Sequence, residues 1–466
     1  MANSIAYLAI IIWPFVTFIL MSRVGVSKGS FLAIMFSYLM LPAGFEINFS
    51  GIPPFTKASI VSISIFLFLF IKGKKLGIKE LGFKEKIILV LFVLSPIFST
   101  MTNTDQYLHI SGLSLYDGLS QSVSSLLIFF PFIIGYKYFR EKEYHIAALR
   151  YFVLVVLFYS ILILYEIRMS PQLHTMLYGY FPHSFAQTAR EGGFRAVVFL
   201  GHGLLVALLV SVAFLISCVL WRAKINIYKG LNYNWIIVIF LFVILVLSKS
   251  YGALFIGIFG FVVLRFFPYK IIFAISYLLV GSYFVYPVMS ANEVFPHQQM
   301  VNFVSNINEN RAASLQFRFT HEKQLLIHAN EKPLFGWGGF GRNRIYDPET
   351  FRDLSVTDGR WVITLGTRGW LGFIAEFLFI ALSIYYASKA VSILKHKKGR
   401  GDEAFLLTAH AFIVALILID QIPNSSLTFF YWLFIGILYG RSWQVVHEYH
   451  ESVRLIKKEK YCVSKK

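Results

Sequence analysis

Thirteen mostly apolar stretches recur along the chain, each close to the length of a membrane-crossing helix, and they leave it few ways to fold. They run over 5–21, 30–46, 57–72, 86–101, 119–136, 147–167, 196–220, 234–249, 251–267, 270–288, 361–388, 404–421 and 427–446. A spanning helix needs about 20 mainly apolar residues, within a range of about 17–25. In hydrocarbon each segment must satisfy its own backbone hydrogen bonds, which favours helices. Pro42 and Gly44 interrupt the end of the second stretch, and a tight turn at Lys249–Gly252 joins the eighth to the ninth. Charged residues make up only 14% of the chain and apolar ones 57%, against about 25% and about 45–50% in soluble domains. The expected fold is therefore an all-α polytopic membrane protein of about 12–13 transmembrane helices, with one large extracytoplasmic loop containing short helices. The first stretch lacks a basic leader and is expected to stay as a span.

The basic residues set an orientation. Arg23 and Lys28 follow the first stretch, and Lys72, Lys74, Lys75, Lys79, Lys84 and Lys86 separate the third from the fourth. Further groups are Lys137, Arg140, Lys142 and Arg150; Arg222, Lys224 and Lys229; Arg265 and Lys270; and Lys389, Lys395, Lys397, Lys398 and Arg400. Every second connection is basic, so these face the cytoplasm, the N-terminus lies outside and the C-terminus inside. The formal charge of +19 is then directed at anionic membrane lipid and not at nucleic acid. The expected layout is N-terminal transmembrane helices over 1–167, a smaller extracytoplasmic loop over 168–195 and central helices over 196–288. The large extracytoplasmic loop over 289–360, C-terminal helices over 361–446 and a basic cytoplasmic tail over 447–466 complete it. Cys218 lies in an apolar stretch and Cys462 in the tail, which argues against a disulfide or a cysteine metal site.

The large loop and its flank form a polar island in an apolar chain. Ala312–Ala329 reads as one amphipathic helix stopped by Pro333. Arg318, His321 and Glu322 share its surface at i, i+3 and i+4. They suit either a solvated Arg–Glu pair, or an arginine fork on diphosphate oxygens beside a histidine or carboxylate that accepts a hydroxyl proton. Phe335–Arg344 holds four glycines in six residues, with Arg342 and Arg344 following; runs of backbone N–H in such turns can face an anion. Trp337 and Phe340 could stack on a sugar ring or seat the loop at the bilayer interface. Asp358, just before the eleventh stretch, suits a helix cap or a base. Arg368 is two turns inside that stretch and needs a polar cavity or a partner, for which Glu376 and Asp420 are candidates. Arg190 and Arg195 stand at the outer mouth of the seventh stretch, and His202, between two glycines two turns inside, suits a core or a cavity-lining residue. Phosphate-loop, dinucleotide, zinc-protease and serine-elbow patterns are absent.

Taken in order, these stretches resemble the O-antigen polymerase and O-antigen ligase superfamily of bacterial envelope glycosyltransferases, and more narrowly its exopolysaccharide polymerases. The resemblance rests on Arg190–Arg195 leading to Gly201–Gly203, on Phe317–Arg318, on Glu331–Gly338, on Arg342–Asp347, on Val356–Gly359 and on Asp420–Asn424. It implies a many-helix transferase in the bacterial inner membrane with its active face extracytoplasmic. The implied donor is an oligosaccharide on undecaprenyl diphosphate, with no metal and no cofactor. A flippase and a chain-length regulator are the implied protein partners. Arg190, Arg195, Arg318, Arg342 and Arg344 would bind the diphosphate, and Asp358, His321 and Glu322 would be the catalytic candidates. His202, Trp337 and Arg368 would line the cavity. Ligases commonly carry histidine where Asp358 stands, which favours the polymerase-like branch, and Arg368 departs from the small or polar residues expected at its place.

Overall fold

A computed structural model describes residues 2–463 apart from 50, 51, 191, 229, 231, 232, 307 and 398. Lys229, Lys398 and the tail residues 464–466 therefore lie outside the described residues. The first part of the chain forms α1 (Ser4–Val24), α2 (Val26–Met40), a short hairpin of β1 (Ile47–Phe49) and β2 (Ile52–Phe55), and α3 (Lys57–Ile71). It continues through α4 (Phe83–Met101), α5 (Leu115–Tyr138), α6 (Lys142–Met169) and α7 (Leu173–Tyr178). A second hairpin, β3 (Ala189–Arg190) with β4 (Gly193–Phe194), precedes α8 (Gly203–Arg222), α9 (Asn234–Leu247), α10 (Tyr251–Phe266) and α11 (Tyr269–Ala291). The polar island holds α12 (His297–Ser305) and α13 (Glu309–Asn330), and α14 (Arg360–Leu394), α15 (Gly401–Asp420) and α16 (Phe429–Val463) follow.

The protein is an all-α, multi-pass membrane protein. Among the described residues, seven helices are long and apolar enough to cross a membrane by length and composition, and four shorter apolar helices of 10–17 residues accompany them. The bundle centres on α5 and α16, whose backbones touch because both lack side chains at the crossing. A Cβ on Gly135 would lie 2.6 Å from the Leu433 carbonyl oxygen, and one on Gly436 2.2 Å from that of Phe132. Small residues allow this close approach where the hydrophobic effect does not distinguish a helix from lipid.

One helix stop and one helix start differ from the expected spans, the first for a local reason and the second through distant side chains. α2 ends at Met40, because Leu41 precedes Pro42 and is extended, as the residue before proline prefers. α8 begins only at Gly203, although 196–202 is almost wholly apolar. The Glu166 carboxylate accepts the N–H groups of Val197 and Val198 at 2.8 and 2.7 Å, and the Tyr159 hydroxyl accepts that of Phe199 at 3.1 Å. These side chains replace helical carbonyls and hold the stretch open. His202 is consequently the N-cap of α8, its Nδ1 accepting the Leu204 N–H at 3.0 Å, and does not lie two turns inside a span.

α14 is broken at Gly369, where φ is 60° and ψ −166°. The glycine-rich turn fills the break. Trp337 and Gly338 donate their N–H groups to the carbonyls of Gly366 and Thr367 at 2.7 and 2.9 Å, and Trp370 and Leu371 donate to Pro333 and Leu334. A Cβ on Gly336 would come within 2.6 Å of the backbone nitrogens of Arg368 and Gly369, and one on Gly369 within 2.4 Å of the Leu334 oxygen. The turn therefore stitches the loop to a broken helix, and these N–H groups are not turned toward an anion. Gly369→Ala is expected to lower the thermal midpoint of the detergent-solubilised protein by several degrees. Its backbone strain alone is worth about 1–3 kcal/mol, and an unchanged melting curve would refute the need for the break.

Candidate functional site

A hollow of about 410 Å³ opens where the polar island meets the starts of α8 and α14. His183, Gln187, His202, Arg344, Thr357, Asp358 and the loop Pro423–Ser426 line it. The floor is rigid. Asp420 accepts from Asn424 Nδ2 at 2.9 Å and from Ser426 Oγ at 2.5 Å, and Gln421 Oε1 accepts the N–H groups of Ser426 and Leu427. Arg360 donates its N–H to the carbonyls of Gln421 and Asn424, joining the start of α14 to the same loop.

Arginines from two separate segments adjoin residues that line this hollow, without being among its lining themselves. Arg318, on α13, sets its Nε 3.2 Å from Asp358 Oδ2 and its Nη1 3.5 Å from the Pro423 carbonyl. Arg195, buried at the end of the β3–β4 hairpin, borders a small recess that shares His183 and His202 with the main hollow. Its Nη2 donates to the Lys249 carbonyl at 2.9 Å, while Lys249 Nζ donates to the Arg190 carbonyl at 3.0 Å. The tight turn between α9 and α10 thus locks the hairpin in position. Burial holds the His202 imidazole down to about 4, and the charges of His183, Arg195, Arg318 and Arg190 push the same way. A neutral His202 whose Nδ1 accepts a backbone N–H carries its proton on Nε2, so it offers a donor and not a base. His183 packs edge-on against it at 4.5 Å.

The three catalytic candidates occupy different surroundings. Asp358 lines the hollow and is about one-third exposed. It does not cap α14, whose N-cap is Gly359 without a side-chain hydrogen bond; its partner is Arg318. Glu322 is buried behind Arg318 and does not pair with it along the helix. The Tyr286 hydroxyl donates to Glu322 Oε2 at 2.9 Å. Burial pushes the Glu322 carboxyl up to about 7; the Tyr286 bond and Arg318 oppose this, and Asp358 adds to it. His321 packs edge-on against Phe317 at 4.2 Å and is not among the residues lining the hollow.

The remaining candidates divide. Arg344 lines the hollow and is ion-paired to Asp353. Arg342 lies away from it, almost wholly buried, with Nη1 on the Ser111 carbonyl at 3.1 Å and its guanidinium over Tyr107. Trp337 is turned inward, against both expectations for it. It stacks on His328 at 4.4 Å and donates Nε1–H to the His328 carbonyl, leaving neither a free face for sugar nor contact with the bilayer surface. Arg368 takes neither expected carboxylate. Its Nη2 donates to Ser125 Oγ at 2.8 Å, because Glu376 is bound by Arg360 at 2.7 Å and by Thr364. Residues that local reasoning passed over are His183, Gln187, Ser425, Ser426 and the buried Glu166. Only Glu166, a lone carboxylate in an apolar span, carried a signal.

A larger cavity of about 700 Å³ lies at the opposite ends of α8 and α10. It has no histidine or carboxylate among its described lining residues and so offers no proton acceptor for a hydroxyl. Among the described residues no group of three or more His, Cys, Asp or Glu side chains is placed to hold a metal ion. No protein-family model matches the chain, and no curated protein matches it in sequence.

Proposed function

We propose that the chain is a membrane glycosyltransferase that polymerises, or ligates, oligosaccharide units carried on undecaprenyl diphosphate at the extracytoplasmic face of a bacterial plasma membrane. One observation carries the reading beyond the resemblance to O-antigen polymerases and ligases. Arg318 from the large loop is paired with Asp358 in the wall of the hollow, and Arg195 from the smaller one borders the recess that shares His183 and His202 with it. Guanidinium groups pair with phosphate oxygens through planar forks and stabilise charge developing on a leaving diphosphate. The acceptor hydroxyl oxygen bonds to the anomeric carbon as the carbon–oxygen bond to the diphosphate breaks, its electron pair departing with the diphosphate. The hydroxyl proton passes to the Asp358 carboxylate. Donor phosphates drawing Arg318 toward themselves release Asp358 for that task. Glu322 is less suited, being buried, bonded to the Tyr286 hydroxyl and not among the residues that line the hollow.

Purified protein in liposomes, supplied with lipid-linked repeat units, tests the activity: growth of polymer is expected, and translocation without growth would mark a flippase instead. In the same assay Asp358→Asn is expected to lower extension by about 10²–10⁴-fold, the range for general-base loss, while Glu322→Gln stays within a few-fold of wild type. The reverse pattern would move the base to Glu322.

A further inference from the structure

We propose that the cavity of about 700 Å³ at the far ends of α8 and α10 binds one anionic phospholipid, its phosphodiester held by Arg222, Lys224 and Arg265 and an acyl chain entering the hollow behind them. The proposal does not depend on the transferase reading. The walls are apolar, formed in part by Val219, Phe261, Leu264 and Phe405, and the only formally charged side chains among the described lining residues are the three cations.

The cations stand where a headgroup would. Arg222 and Arg265 lie in the last turns of α8 and α10, so both mark the end of an apolar helix. Trp221 beside them is exposed, as are Phe266 and Phe267; interfacial aromatics of this kind sit at headgroup level. Arg222 is preorganised. Its Nη1 donates to the Leu264 carbonyl, and its guanidinium lies 4.4 Å from the Phe405 ring centroid, leaving other N–H groups of the five to meet an anion. The segment bearing Lys224 is tied down by Asn234, which donates to the Ile225 carbonyl at 2.8 Å and accepts the Ile227 N–H at 3.1 Å. A soluble phosphate would use the cations and leave the apolar hollow unfilled. A zwitterionic lipid would fill the hollow but bring its own cation against three others. An anionic diacyl lipid matches both halves.

Native mass spectrometry of the full-length protein in mild detergent tests this, using phosphatidylglycerol and phosphatidylcholine with identical acyl chains. Phosphatidylglycerol is expected to be retained at least about fivefold more strongly, the effect of roughly one juxtamembrane cation. Lys224→Gln with Arg265→Gln, both exposed side chains, is expected to bring the two lipids within about twofold at unchanged helix content, as loss of that electrostatic contribution predicts. Equal retention by wild type, or undiminished phosphatidylglycerol retention by the double variant, would overturn the proposal. So would displacement of the lipid by millimolar inorganic phosphate, which would mark a site for free anions.

Discussion

Arg318→Ala is expected to cut chain extension from a polyprenyl-diphosphate-linked donor by roughly 10²–10³-fold, the cost of removing one preorganised donor from a developing anion, while membrane insertion is unchanged. The side chain is about one-third exposed, so its loss opens no core cavity and folding should survive. Arg318→Lys should recover only part of the rate, because an ammonium keeps the charge but not the fork that meets two oxygens at once. A purely structural Arg318–Asp358 pair makes a different forecast. In that case Asp358→Asn and Arg318→Ala would be equally mild, and both would show as lower melting temperature and not as slower extension. Gel profiles of polymer made in liposomes distinguish the two. Full-length polymer at the wild-type rate from Arg318→Ala would reject its role on the diphosphate.

The second large effect is a loss of stability around α13 as pH rises. Burial displaces the Glu322 carboxyl from 4.5 to about 7, so between those values the folded protein holds a proton that the unfolded chain has released. Stability falls with pH wherever the folded state binds more protons. The contribution is full below about 4.5 and lost as pH rises through about 7. A displacement of that size is worth about 3 kcal/mol, at about 1.36 kcal/mol per unit. Hydrogen exchange of the α13 amides should therefore accelerate between pH 5 and pH 8 beyond the intrinsic chemical dependence. Glu322→Gln, which keeps an acceptor for Tyr286 and cannot ionise, should remove that excess. The same acceleration in the variant would place its origin elsewhere.

Much of the fold was legible because a membrane makes helix formation a local matter. Each apolar stretch must close its hydrogen bonds within itself, so span positions follow from runs of neighbouring residues, and a helix was found at each of the thirteen stretches. The helix over Ala312–Ala329 was readable from its spacing and extends only to Glu309–Asn330. The close crossing of α5 and α16 also had a local trace, since Gly436 and Gly440 stand four residues apart, the pattern of small residues at helix contacts.

Where the chain itself decided matters, the deciding forces acted between neighbours: hydropathy, charge alternation and the turn residues that end helices. Tertiary structure alone decided the rest, because the partners are distant in sequence and no spacing rule joins them. Glu166 takes the N–H groups that would have begun α8 at 196–202, making His202 a cap. Carbonyls freed by the break at Gly369 give the glycine-rich turn its purpose, and Ser125 gives Arg368 its partner. The pairing of Arg318 with Asp358, and the placing of Arg195 beside His202 in an adjoining recess, are of the same kind. Residue type could nominate each of them, but only packing brings these distant segments together.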